Sequence, residues 1–174
     1  YRHQILTDSK DGRFSYVHAR LREVAYRAMA EPRRRRLHRL AADELARRDV
    51  EGDRLAELAT HWEAAGVERE AFRCLRRAGS WALERGAHSE AEALLERALD
   101  LAAPGRNGAI SASPSVRGRL WRLVAEARWA AGNPKGTVEA ARRARALLQE
   151  GVPQSRRGRF VATTLEAARL TASI

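Results

Sequence analysis

The chain has 174 residues and a formal net charge of +11, carried almost entirely by arginine. Hydrophobic residues make up 44% and charged residues 32%, so a folded core is expected and disorder is not. No stretch approaches the roughly 20 apolar residues of a membrane span, and nothing indicates secretion, so we expect a cytoplasmic protein without membrane contact. The positive charge by itself is compatible with binding to nucleic acid, to an acidic protein or to anionic lipid head groups, or with a codon bias toward Arg, Ala and Gly.

The scarcity of reactive side chains limits the chemistry. The single cysteine, Cys74, excludes an internal disulfide and a multi-cysteine zinc site, and its apolar neighbours predict a small buried side chain. The five histidines have no metal-binding spacing, and the chain carries neither a phosphate-binding Gly-x-x-x-x-Gly-Lys-Ser/Thr motif nor a nucleophile elbow. We therefore expect no catalytic residue, no metal and no cofactor.

Residues 1–18 differ in pattern from the rest of the chain. Two short runs rich in aromatic and branched residues flank a polar stretch that ends in Asp11-Gly12, which predicts a β-hairpin. Because a lone hairpin is only marginally stable in water, we expect it to belong to a further domain. From residue 19 onward the apolar period is helical, so the predicted fold class is all-α with a short N-terminal β-hairpin.

Apolar residues at helical spacing predict eight helices. The breaks between them are expected at Pro32, at Gly52, Gly66, Gly86, Gly132 and Gly151, and in a loop at about 104–115. The helix predicted over 68–85 is apolar on two sides, which is typical of a helix packed between two neighbours. The last predicted helix covers 156–172.

Two helix starts carry capping signals. Ser89, with Glu92 three residues later, predicts a capping box for a helix over 90–102. Asn133, followed by Pro134, predicts an N-cap and a first-turn proline for the seventh helix.

Small residues recur at fixed distances from three helix-ending glycines, Gly66, Gly86 and Gly132. They stand seven residues before each glycine and five and twelve residues after it: Ala59, Gly79 and Ala125; Ala71, Ala91 and Thr137; Ala78, Ala98 and Ala144. These are the close-packing positions of a tetratricopeptide-type helix pair. Gly86 and Gly132 are 46 residues apart, and without a 12-residue loop insertion this is the tetratricopeptide length of about 34. The pattern predicts a superhelix of antiparallel helical pairs over 51–174, connected to the hairpin by linking helices over 19–50.

The run GRFSYVHARLREVAYRAMAEPRRRRLHRLAADEL resembles a boundary segment of STAND-type signalling ATPases. There a winged-helix module ends in a hairpin with a Phe-x-x-x-His pattern, followed by a helix and an arginine-rich RRxLH helix. The matching residues are Phe14, His18, Arg22, Glu23, Tyr26, Arg35, Arg36, Leu37 and His38. The residues that follow are similar to the superhelical sensor region of the same family, above all to the ATPase modules of bacterial class III adenylate/guanylate cyclases. Related modules accompany LuxR-type DNA-binding domains or Ser/Thr kinase domains.

The resemblance implies that this chain is one part of a longer protein whose other parts have different functions. The ATPase core would precede this region, and an effector domain (a cyclase, a kinase or a transcription factor) would be controlled by it. This chain would then be a non-catalytic sensor and scaffold that binds a protein, peptide or small effector on the concave face of the superhelix.

An arginine run is the sharpest charged feature of the sequence. Helical spacing wraps it around one helix, so it forms no single flat stripe. It consists of Arg33, Arg34, Arg35, Arg36 and Arg39. Three interpretations stay open: a solvated helix face, a docking surface for an acidic part of the parent protein, or a contact with nucleic-acid phosphates. The last gives the alternative function, a nucleic-acid-binding fragment that uses the hairpin and this helix.

Four tryptophans fall on predicted helices. Trp62 and Trp121 are expected to fill the core between helices. Trp81 and Trp129 fall nearer the edges of their apolar stripes, so they are candidates for lining a groove or interface, with core packing as the alternative.

Overall fold

The computed structural model describes residues 6–9, 13–16, 19–48, 50–104, 110 and 112–150. This part of the chain is predominantly helical, which confirms the all-α class. The elements are β1 (Leu6–Ser9), β2 (Arg13–Tyr16), α1 (Ala19–Ala28), α2 (Glu31–Ala46), α3 (Arg54–Ala64), α4 (Glu68–Glu84), α5 (His88–Leu101), α6 (Pro114–Ala130) and α7 (Pro134–Glu150). The two strands pair antiparallel, with Leu6 opposite Tyr16. The helix predicted over 156–172 lies outside the described residues.

Glycines with positive φ end three of the helices. Gly66, Gly86 and Gly132 have φ of 74°, 79° and 75°, directly after α3, α4 and α6. A residue with a side chain adopts this left-handed conformation only with strain, so glycine there stops the helix and turns the chain. The predicted helix ends at these three positions are confirmed.

Side-chain caps define the starts of α6 and α7. The Asn133 Oδ1 atom accepts a hydrogen bond from the Gly136 amide at 3.0 Å, which confirms the predicted N-cap of α7. The Ser113 Oγ atom accepts from the Val116 amide at 3.3 Å, and Pro114 is the first residue of α6. The loop therefore ends at Ser113, two residues before the predicted limit of about 115, because Ser113 caps α6 and Pro114 occupies its first turn.

The predicted capping box at the start of α5 was also wrong. The helix begins at His88, and its N-cap, Ala87, makes no side-chain capping bond. Glu92 instead forms an ion pair with Arg128 on α6. The tertiary contact thus engages the carboxylate that the local motif would have used.

Each helix from α2 to α7 packs against its neighbours along the chain. The connections after α3, α4 and α6 have three residues each, so the joined helices must run antiparallel. The two-sided apolar pattern of α4 is explained by its position, because it packs on both α3 and α5.

Eight of the nine small residues at the repeat positions are buried: Ala59, Ala71, Ala78, Gly79, Ala91, Ala98, Ala125 and Ala144. The ninth, Thr137, is half-buried. Gly79 shows why size matters, since a Cβ atom there would lie 2.7 Å from the Leu95 Cγ atom. Gly118, which the repeat pattern did not single out, brings α6 equally close to α7, because its Cβ would lie 2.8 Å from the Leu148 Cγ atom. A larger side chain at either glycine would push the two helices apart.

The hydrophobic core is continuous from α3 to α7. Its largest fully buried side chains are Leu75, Leu95, Leu120 and Val124. Cys74 is buried among them and burial raises the pKa of its thiol, as predicted for a small core side chain. None of the described helices combines the length and the apolar character that a membrane crossing requires.

Candidate partner-binding groove

A groove of about 520 Å³ opens between the start of α3, the second half of α4 and the first half of α6. We call it the α4–α6 groove. Its apolar lining is Leu55, Trp81, Val116, Leu120 and Leu123, and its charged and polar lining is Glu51, Arg76, Arg77, Ser80, Glu84, Arg119 and Arg122, with Gly52 at one edge. The volume is within the range of about 300–1,000 Å³ that is typical of small-ligand sites.

Helical spacing places these side chains on the groove. On α4, Arg77, Trp81 and Glu84 stand at i, i+4 and i+7, so they share one face. The opposite face of α4 carries buried small and apolar residues, such as Leu75 and Ala82, which fix the helix in the core. The packing of α4 in the core therefore fixes the orientation of the helix face that lines the groove.

The apolar part of the groove is only partly covered. Leu55 and Leu120 are 4% and 1% exposed and form the floor, while Val116 and Leu123 are half-buried. Trp81 is 44% exposed, although a buried tryptophan is among the strongest sources of hydrophobic stabilisation. A large exposed indole over an apolar floor is typical of a surface that another molecule covers.

The backbone at Gly52 supports the position of Trp81. Gly52 has a φ of +62°, and a Cβ atom there would lie 3.1 Å from the indole Nε1 atom. Both the backbone conformation and the space favour glycine, so the indole can lie directly against the turn before α3.

The charges of the groove are largely unpaired. Arg76, Arg77 and Arg119 are exposed and form no ion pair with any other described residue, and Arg122 approaches Glu126 only to 3.8 Å. Two carboxylates, Glu51 and Glu84, also line the groove without an ion-pair partner in the described part of the chain. The groove thus holds four arginines and two glutamates, a net positive site.

The other predicted interaction residues lie apart from this groove. Trp129, on α6, is 69% exposed and does not line it. Of the two tryptophans expected in the core, Trp62 is 7% exposed, whereas Trp121 is only half-buried beneath the Arg143 guanidinium, 4.6 Å from its ring centre.

The arginine run lies on α2. Arg33 and Arg36 border a hollow of about 520 Å³ with Leu37 and Leu40, and Arg39 is exposed. Arg35 pairs with Glu31 at 2.5 Å. Arg34 lies over the Tyr26 ring, 5.5 Å from its centre. The run therefore wraps around the helix, as its spacing predicted, and part of it is engaged within the chain.

Two residues of the family pattern contact each other. The Tyr26 hydroxyl lies 2.8 Å from His38 Nε2, and His38 Nδ1 lies 3.0 Å from His61 Nδ1, so a hydrogen-bonded chain connects α1, α2 and α3. Burial, and then the charge of His61, lowers the pKa of His38. His61 is missing from the sequence-based site, because only the fold brings it to His38.

The remaining residues of the family pattern are dispersed. Glu23 pairs with Arg27 one turn later on α1, and Leu37 is 46% exposed. Phe14 lies on β2, and His18 falls outside the described residues.

Arg128 is the most engaged charged residue that the sequence analysis missed. Its Nε and Nη2 atoms lie 2.6 Å from Glu92 and 2.7 Å from Glu96 on α5, and its Nη1 atom donates to the Gly136 carbonyl at 3.1 Å. The hydrogen bond to Glu92, and then the charges of Glu92, Glu96 and Glu139, raise the pKa of the guanidinium. The contacts of Arg128 join α5, α6 and α7. Arg128 therefore has a structural role, which the spacing of residues in the sequence did not predict.

The described residues include no group of three or more His, Cys, Asp or Glu side chains that could hold a metal ion. Comparison of the chain with protein-family models, with curated proteins and with solved structures gives no match.

Proposed function

We propose that this chain is a protein-interaction scaffold that binds a segment of a partner in the α4–α6 groove. The observation that carries the proposal is the exposed Trp81 indole beside unpaired arginines, over an apolar floor held by close-packed helices. Pockets that bind protein segments combine a buried apolar anchor site with a polar rim. The groove has both parts.

The resemblance to STAND-type ATPases gives this scaffold a place in a larger cytoplasmic protein. Residues 1–18 would end a winged-helix module, and the helices from α3 onward would form a tetratricopeptide-like superhelix with the groove on its concave face. An ATPase module and an effector such as a cyclase, kinase or transcription factor would belong to the same parent chain. The close approaches at Gly79 and Gly118 support the superhelix, since that architecture needs small residues between helices.

Regulation would follow from partner binding. A ligand changes a conformational equilibrium only when its affinity for the two states differs. In the proposed parent protein, the segment bound in the groove would favour one arrangement of the scaffold and the ATPase module, and thereby alter the effector.

The binding role is tested by selecting random 12-residue peptides on the purified chain. We expect the selected peptides to bind Trp81→Ala at least about tenfold more weakly, because the variant loses the exposed apolar anchor. Trp129→Ala is the matched control, since it removes an exposed indole of α6 outside the groove. Equal binding to the parent chain and to Trp81→Ala would remove the groove from the proposal.

The proposal that this chain belongs to a larger signalling ATPase is tested by sequencing the gene that encodes it. Extending the reading frame upstream is expected to reveal a nucleotide-binding domain with a Gly-x-x-x-x-Gly-Lys-Ser/Thr motif after a predicted strand. A frame that encodes no such domain would overturn the signalling ATPase assignment while leaving the scaffold role intact.

Nucleic-acid binding is the alternative function. It is supported by the exposed Arg33, Arg36 and Arg39 side chains of α2, none of which forms an ion pair with a described residue. Phosphate contacts would make binding fall steeply with salt, with a slope of about −0.9 per contact in duplex DNA. Loss of a DNA gel shift in a triple Arg→Gln variant at these positions would favour this function, and unaltered DNA mobility at low salt would exclude it.

A further inference from the structure

We infer that the segment bound in the α4–α6 groove is an acidic protein segment with an apolar anchor residue. This inference rests on the proposed function and names the partner's chemistry. It starts from Arg76, Arg77 and Arg119, three exposed guanidinium groups that border one apolar floor and form no ion pair with another described residue.

The arginines stand on two helices that border the groove. Arg76 and Arg77 lie on α4, and Arg119 and Arg122, one turn apart, lie on α6. A carboxylate placed between the helices can therefore meet guanidinium groups from either side, and arginine binds carboxylates with two parallel hydrogen bonds. Other arginines of the same helices differ: Arg73 pairs with Glu70 and Arg128 with Glu92, whereas Arg69 is exposed and unpaired among the described residues but lies outside the groove.

The groove lining also contains two unpaired carboxylates near Trp81, which favours one of two anionic partners. Glu84 follows Trp81 by one turn, and Glu51 adjoins Gly52, which lies against the indole. A nucleic-acid strand carries a phosphate at every nucleotide and would place some of them beside these carboxylates. A protein segment can carry acidic residues only where they meet arginines and neutral residues beside Glu51 and Glu84, so the mixed charge of the groove favours a protein segment over a nucleic acid.

The apolar floor of the groove accounts for the apolar anchor residue of the partner. Leu55 and Leu120 are nearly fully buried, and the half-buried Val116 and Leu123 join them beneath the exposed face of Trp81. An aliphatic or aromatic side chain placed there would exclude water from the indole and strengthen the neighbouring ion pairs, because charge interactions gain strength in low-dielectric surroundings. The volume of about 520 Å³ suits a few residues of an extended segment.

The test uses three pools of fluorescein-labelled ten-residue peptides with one fixed Leu and one fixed Phe. The remaining positions are Ser and Gly with four Glu, four Gln or four Lys. We expect the Glu pool to bind the chain at least about tenfold more tightly than the Gln pool in fluorescence anisotropy, and this advantage to shrink with added salt. The Lys pool is expected to bind most weakly.

Arginine variants test whether the groove arginines cause the preference for the Glu pool. Combined Arg76→Gln, Arg77→Gln and Arg119→Gln should reduce binding of the Glu pool to the level of the Gln pool. The matched control changes three arginines that are exposed, outside the groove and without an ion pair to a described residue: Arg69→Gln, Arg142→Gln and Arg145→Gln. It removes the same net charge and should leave the preference for Glu unchanged. Circular dichroism melting verifies that both variants fold.

The outcomes separate this inference from the proposed function. Equal binding of the Glu and Gln pools, with both weakened by Trp81→Ala, would overturn the acidic preference and leave the groove as a binding site. Tighter binding of the Lys pool, or displacement of the Glu pool by a single-stranded DNA oligomer at equal concentration, would overturn the acidic protein segment. Failure of all three pools to bind would contradict both the inference and the proposed function.

Discussion

The helices α3–α7 and the helices α1–α2 are built from similarly amphipathic sequence, yet they differ in how much apolar surface they bury. In α3–α7 the leucines of the core, such as Leu75 and Leu95, are fully buried. In α1–α2, Val24 is 64%, Leu37 46% and Leu40 57% exposed, and Ala42 is the buried residue that α2 contributes to the core. Amphipathic spacing therefore predicts that a helix has an apolar face, whereas burial depends on whether another element packs on that face.

The difference also shows in how the two regions are held together. The array of α3–α7 depends on close approach at small residues and on ion pairs such as those of Arg128. The connection of α1 and α2 to α3 includes a histidine chain that pH can alter. Four predictions test this contrast, in order of decreasing effect.

Truncation of a core leucine should cost the most. Leu95→Ala is expected to lower the free energy of unfolding by about 3 kcal/mol, since it removes a fully buried side chain and leaves a cavity between α4 and α5. Urea denaturation followed by circular dichroism measures the loss. In the Leu95→Ala background, Gly79→Ala should be neutral or stabilising, whereas alone it should destabilise, because its Cβ would meet the Leu95 side chain. Equal effects of Gly79→Ala in both backgrounds would contradict the close packing.

Loss of the Arg128 contacts should come next. Arg128→Gln is expected to lower the free energy of unfolding by about 2 kcal/mol, because Glu92 and Glu96 would lose a guanidinium whose side chain is only 15% exposed. Arg122→Gln is the matched control on α6, since its partner Glu126 is 3.8 Å away and both side chains are exposed. It should change stability by less than about 0.5 kcal/mol. Similar losses for the two variants would show that Arg128 does not join the helices.

Acidification should weaken the histidine chain. Because the pKa of His38 is lowered in the folded chain, protonation favours the unfolded state, and the contribution of His38 is complete only above its ordinary pKa of 6.5. It is lost as the pH falls through the lower folded-state pKa. The melting temperature should therefore drop between pH 7.5 and 5.5, and His38→Gln should reduce the drop. His88→Gln alters a histidine that is not hydrogen-bonded to His38 or His61, so it should leave the drop in melting temperature unchanged. An identical drop in both variants would refute the role assigned to His38.

Truncation of an exposed leucine on α2 should have the smallest effect. Leu40→Ala is expected to change the free energy of unfolding by less than about 0.5 kcal/mol, because the side chain is 57% exposed and its removal leaves no cavity. The substitution is the same as Leu95→Ala, so the two urea midpoints compare the regions directly. A loss similar to that of Leu95→Ala would mean that α2 is buried to the same extent as the array.

The helical class, the helix ends at Gly66, Gly86 and Gly132, and the cap at Asn133 could be predicted from the sequence, because each depends on backbone conformation or on atoms three residues away. The repeat pattern also identified small residues such as Gly79, although their role as points of helix contact follows only from their place in the packing. By contrast, the pairing of Glu92 with Arg128, away from its local capping motif, and the contact of His61 with His38 follow from the packing of the helices and could not be predicted. The same holds for the α4–α6 groove: spacing placed Trp81 on an edge, but packing of α3, α4 and α6 brought four arginines and an apolar floor beside it. Contacts between residues far apart in the chain depend on how the helices pack against one another. The local spacing of residues in the sequence does not specify that packing.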